Sequence, residues 1–144
     1  NSLCCDRKSK MRNGITKILV VNEQIRYLKS SFKRLKDEII SLEIQEADTA
    51  QEAVYHSKSK NYDLAIIDVS DDIPVKESQS LSKYLREKNS KIIIVGTSVQ
   101  GEMLKDGLSK KLYNEVKWML YEDFYTITID VLKKYKFIPE EVIQ

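Results

Sequence analysis

Short apolar runs alternate with longer amphipathic segments from Lys17 almost to the C-terminal end of this chain, and that alternation is the strongest constraint on its fold. A short run buried on both faces reads as an inner strand, and an amphipathic segment buries one stripe. The pattern therefore predicts repeated βα units, with helices on both faces of a parallel sheet. Four runs are plain, at residues 18–21, 42–44, 64–67 and 92–95, and a fifth strand is placed around 112–116. Between the first two, Ile25, Leu28, Phe32, Leu35 and Ile39 recur at steps of three and four, one stripe of a helix. Thr49 followed by Glu52 reads as a capping box opening a second helix that ends near Lys60 and Asn61. A third helix carries Leu81, Tyr84 and Leu85, a short fourth Met103 and Leu104, and a last one Phe124, Ile127, Val131 and Tyr135. The expected fold is a doubly wound α/β domain with a five-stranded parallel sheet.

The 144 residues suit one domain with a sizeable core and are too few for two. Residues 1–14 are expected to be a disordered head or expression remnant, 15–137 the folded domain, and 138–144 a tail or the start of a linker. The head holds Arg7, Lys8, Lys10 and Arg12 against Asp6 alone, so of 24 basic and 22 acidic groups the remainder keeps 20 and 21. A near-neutral domain lacks the clustered Lys and Arg that counterion release from nucleic acid requires. Cys4 and Cys5 are adjacent in the polar head, and the single His56, read as a solvated helix residue, cannot complete a zinc site with them. No apolar run approaches the roughly 20 residues that span a bilayer, so a soluble cytoplasmic protein is expected.

Three strands end in oxygen-bearing side chains. The run 64–67 leads into Asp68, 18–21 into Asn22 and Glu23, and 92–95 into Gly96, Thr97 and Ser98. Open α/β sheets bind ligands outside the carboxyl ends of their strands. A carboxylate and a hydroxyl gathered there around a hard cation make the chemistry of taking up a phosphoryl group. Plainer roles stand beside this one: Asp68 as a turn residue, Asn22 as a helix N-cap, Thr97 and Ser98 as caps for a segment opening near Gln100.

The order of these elements resembles the receiver domain of bacterial two-component response regulators, from about Lys17 to Phe137. The resemblance rests on Lys-Ile-Leu-Val-Val at 17–21, Tyr-Asp-Leu-Ala-Ile-Ile-Asp at 62–68 and Ile-Ile-Ile-Val-Gly-Thr-Ser at 92–98. It implies the flavodoxin-like receiver topology, no enzymatic activity, and Asp68 as phosphoacceptor. It also implies Mg2+ at Glu23, Asn22, Asp68 and Ser70, with Thr97 and Lys117 gripping the phosphoryl oxygens; Lys110 or Lys111 serves if the fifth strand is shifted. The implied partners are a histidine kinase or phosphotransfer protein, an output domain or downstream protein, and a second copy in a homodimer. Neither direct nucleic acid contact nor a membrane is implied. An aromatic that turns inward on activation falls near Tyr113, with Asn114 competing for that alignment.

The chain departs from the family pattern in three places. Asn22 stands where a second carboxylate is usual, which weakens magnesium binding without abolishing it. Trp118 follows Lys117 where proline is usual, and the turn after Asp68, with Asp71 and Asp72, is longer by about two residues. These changes leave a rival reading, a pseudo-receiver that binds proteins without phosphorylation. A flavodoxin-like cofactor binder of the same topology is disfavoured, since no Ser-, Thr- and Gly-rich phosphate loop follows Val21.

Overall fold

The structure, a computed structural model, describes residues 14–100 and 111–141. Cys4, Cys5, Lys110 and the helix expected at Met103 and Leu104 lie outside the described residues. The strands are β1 (Thr16–Val21), β2 (Leu42–Ala47), β3 (Leu64–Asp68), β4 (Ile93–Ser98) and β5 (Glu115–Trp118). They run parallel in the order β2-β1-β3-β4-β5. The helices are α1 (Lys29–Glu38), α2 (Ala50–Ser57), α3 (Val75–Lys88) and α4 (Phe124–Lys134), with 3-10 turns at Ile25–Leu28 and Tyr121–Asp123. Among the described residues, no helix is long and apolar enough to cross a membrane.

Side chains alternate along each strand, so the sheet divides two hydrophobic cores. Ile18, Val20, Leu64, Ile66 and Val95 face α1 and α4, where Phe32 meets Phe124 edge-on with ring centroids 5.4 Å apart. Leu19, Val21, Ala65, Ile67 and Ile94 face α2 and α3. The first stripe predicted from sequence buries Leu28, Phe32 and Leu35, with Ile39 closing it beyond the helix. It opens as a 3-10 turn, at whose start Gln24 provides no side-chain cap.

At α2, Thr49 Oγ1 accepts the Glu52 N–H at 3.0 Å, while the Glu52 carboxylate takes the N–H of Asp48 at 2.9 Å. The reciprocal half of the capping box therefore reaches one residue further back than expected. The helix stops at Ser57, whose hydroxyl donates to Ala53 O at 2.7 Å, short of the expected end near Lys60.

The fifth strand is the larger correction, since it begins at Glu115 and not around Leu112. Asn114 Oδ1 accepts the Ile94 N–H at 2.8 Å and an Arg86 N–H at 3.0 Å, and Arg86 also donates to the carbonyls of Ile92 and Leu112. A side chain thus takes the first place in the β4–β5 ladder, and the strand proper starts one residue later. Tyr113 is buried under α3 with its hydroxyl 2.6 Å from Ser78 Oγ, in the core away from Asp68. The inward-turning aromatic expected near that position is already locked inside.

Beyond α4, Lys136 adopts a left-handed backbone (φ 64°), and Phe137 N–H reaches back to Leu132 O at 2.8 Å. Phe137 and Ile138 are both buried in the α1–α4 core. The folded unit accordingly continues past residue 137, where a tail was expected to begin.

Candidate functional site

Register brings the central pair together. β3 and β4 pair so that Asp68 lies beside Thr97, and alternation turns both toward the α1–α4 side of the sheet. Thr97 Oγ1 donates to Asp68 Oδ1 at 3.0 Å, and the two residues are 0% and 3% exposed. Burial drives the Asp68 carboxyl from an ordinary 3.8 up to about 7; the Thr97 bond pulls it down, and the negative charge of Glu23 pushes it further up. The neighbouring hydroxyl has a different partner: Ser98 Oγ accepts the Gln100 N–H at 3.0 Å, while the segment expected to be capped there runs into residues 101–110, outside the described residues.

The polar pair after β1 divides in the same way. Asn22 is buried, and its Oδ1 accepts the Gln24 N–H at 2.8 Å, fixing the bend into the first 3-10 turn. Glu23 faces the loop after β3. Its carboxyl is raised above the ordinary range first by a hydrogen bond shared with Asp72, then by burial, while a hydrogen bond with Ser70 lowers it. Ser70 also accepts the Ile73 N–H at 3.1 Å through its hydroxyl and donates its own N–H to Ile73 O at 3.0 Å. The longer turn is therefore a closed loop that carries Asp72 back against Glu23.

Lys117 pairs with Thr97 in the sheet, one strand further from Asp68. Its amine, however, lies 3.1 Å from Glu115 Oε1, two residues back along β5. Lys111 precedes β5 in the turn. Tyr121 is close enough to feel the site: its phenol is raised first by burial, then by the negative charges of Asp68 and Glu23, and its ring rests 5.3 Å from that of Tyr27.

Among the described residues, no three His, Cys, Asp or Glu side chains cluster closely enough to cage a metal by themselves. Magnesium does not need such a cage, because it keeps several waters and takes one or two carboxylates. Asp68 beside Glu23, with Glu23 and Asp72 close enough to share a proton, is a donor set that fits a hydrated divalent cation.

Sequence reasoning missed Glu115 and Tyr121 as neighbours of the site. Glu115 could have been found, since residues two apart on a strand share a face. The position of Tyr121 depends on the path of the chain after β5, for which no local pattern exists. Asp72 stood out only as part of the longer turn, and its pairing with Glu23 was not foreseen.

No protein-family model matches the chain, and no curated protein matches it. Solved structures do. The response regulator TrrA from Thermotoga maritima, in complex with Mg2+ and BeF, is 25% identical with a TM-score of 0.66, over 84% of this chain and 99% of that one. The chemotaxis response regulator CheY4 of Vibrio cholerae is 19% identical with a TM-score of 0.65, over 84% and 98%. A CheY-like receiver domain from Methanospirillum hungatei is 16% identical with a TM-score of 0.63, over 85% and 97%. The chain shares the fold of these receiver domains across most of its length.

Proposed function

We propose that a chain with the receiver fold and this strand-end site is the receiver domain of a two-component response regulator, with Asp68 as the residue that accepts the phosphoryl group. The observation that carries the reading is the buried Asp68–Thr97 pair at the carboxyl ends of adjacent strands, with Glu23 close by. In the transfer, the P–N bond of a partner's phosphohistidine breaks as a P–O bond to an Asp68 carboxylate oxygen forms, and the imidazole leaves with the electron pair. Asp68 must be ionised to attack, and its surroundings, burial foremost, hold its carboxyl up at about 7. Magnesium, when bound near Asp68 and Glu23, supplies positive charge that favours the ionised carboxylate and the incoming anion. Thr97 then donates to a phosphoryl oxygen, and Lys117 brings a balancing charge from the next strand. Residues 15–138 act as one unit that receives its signal from a cytoplasmic histidine kinase or phosphotransfer protein and passes it to an output domain or downstream protein.

Incubation with acetyl phosphate and Mg2+, read by intact mass, tests this. One added phosphoryl mass is expected in the wild type and none in Asp68→Asn. Retention of the gain in that variant, or its mapping to Asp71 or Asp72, removes the assignment.

A phosphorylation-independent pseudo-receiver is the second reading, favoured by Asn22 being engaged with Gln24 N–H and Lys117 with Glu115. Magnesium titration separates the two, because the pseudo-receiver has no need of the cation.

A further inference from the structure

Glu115 occupies an unusual electrostatic position. Its side chain is 12% exposed, and three donors converge on it: Lys134 Nζ at 2.7 Å, the Tyr135 hydroxyl at 2.8 Å and Lys117 Nζ at 3.1 Å. Burial pushes its carboxyl up, yet the bonds from Lys134, Tyr135 and Lys117 outweigh this and hold it at about 2. It is therefore a permanent anion with more cationic partners than its charge requires.

Sheet register shows what this does to Lys117. Thr97 stands beside Lys117, and Glu115 stands beside Val95, two residues further from the strand ends. One residue of parallel strand rises about 3.3 Å, so the Glu115 backbone lies roughly 7 Å behind that of Lys117 along β5, and the lysine amine reaches back toward it. Asp68 and Thr97 lie in the row of Lys117 itself, across the sheet at the carboxyl edge, so reaching Glu115 takes the amine out of that row. A lysine stem is long and flexible enough to serve either anion. If Lys117 leaves, Glu115 keeps Lys134 and Tyr135, so no buried charge is stranded. The two extra partners make the lysine releasable, and both come from the C-terminal end of α4 and the residue that follows it.

We propose that Glu115 is a positioning residue that holds Lys117 back from Asp68, a latch on β5 that an incoming phosphoryl anion must outcompete. This rests on the reading of Asp68 as acceptor and adds a device that sets how readily Asp68 is filled. Lys134 and Tyr135 set the strength of the latch, because each bond they make to Glu115 lessens its hold on Lys117.

The test is the initial rate of labelling of the full chain by acetyl phosphate with Mg2+, followed by intact mass. Glu115→Gln removes the anion and is expected to raise the rate about two- to fivefold, in keeping with the modest strength of a partly exposed ion pair. In a Lys117→Ala background the same substitution should have no effect, as a double-mutant cycle requires. Lys134→Ala should act in the opposite sense, slowing labelling by leaving Glu115 more dependent on Lys117. That exposed substitution also tests the latch should Glu115→Gln fail to fold. A structural role for Glu115 predicts no such opposition, since both changes would simply loosen the strand. Labelling of Glu115→Gln at or below the wild-type rate overturns the latch alone, as does equal acceleration with Lys117 absent, or faster labelling in Lys134→Ala. Absence of labelling in every variant overturns the Asp68 reading and the latch with it. Labelling of Glu115→Gln where the wild type stays unlabelled supports both.

Discussion

At the scale of single residues, Asp68 ties stability to pH. Its folded-state carboxyl holds a proton up to about pH 7, whereas the ordinary value is 3.8. Below the lower value both states are protonated and this group's contribution is fully present; it is lost as pH rises through the higher value, because the unfolded chain gives up its proton first. In metal-free protein, Asp68→Asn is expected to add on the order of 2 kcal/mol at about pH 8 and clearly less at about pH 5. Urea unfolding in EDTA at the two pH values checks this, and equal gains would show that Asp68 titrates as an ordinary carboxyl. Asn22 offers a second experiment. Its Oδ1 already accepts from Gln24, a bond that an aspartate can also make, so Asn22→Asp adds charge while keeping the bend. Magnesium affinity, measured by isothermal titration, should tighten about fivefold with the added carboxylate. Unchanged affinity would show that position 22 does not face the cation.

The secondary-structure elements show a similar division between what is dictated locally and what is imposed from outside. At the end of α4, Lys136 sits at φ 64°, with its N–H on Lys133 O and the N–H of Phe137 on Leu132 O, a helix stop that glycine suits best. Lys136→Gly is expected to stabilise the domain by about 1 kcal/mol, because glycine escapes the steric penalty of this backbone. Chemical denaturation reads the gain, and a lower midpoint would show that the lysine side chain outweighs the strain. Patterns confined to one segment were legible in the sequence: the stripe from Ile25 to Ile39, the Thr49 cap, and Asp68 and Thr97, each marked by the apolar run before it. The start of β5 was not, because it depends on Asn114 and on Arg86, which belongs to a different helix. The pairing of Glu23 with Asp72 was hidden for a related reason: Ser70 and Ile73 close the loop that brings the two carboxyls together.

Across the whole molecule, the sheet keeps two cores apart while its carboxyl edge gathers polar groups from several strands and loops. Helices α1 and α4 are joined by more than apolar packing, for Arg34 stacks 3.7 Å over the Tyr125 ring and the Tyr125 hydroxyl donates to Glu38. The seam from α4 to β5 runs through Glu115, so the C-terminal end of that helix and the strand are electrostatically linked. The residue after Lys117 gives this arrangement a built-in optical reporter. Trp118 is the single tryptophan of the chain, 59% exposed, and its indole N–H donates to Val99 O at 3.1 Å, tying the end of β5 to the segment just past Thr97. Fluorescence excited at the red edge of the tryptophan band comes from this one indole, and its emission depends on the hydration and hydrogen bonding of the ring. Addition of Mg2+ and beryllofluoride to unlabelled protein is expected to shift or quench that emission in the wild type and to leave it unchanged in Asp68→Asn. An identical response in both proteins would show that the indole senses something other than the state of Asp68.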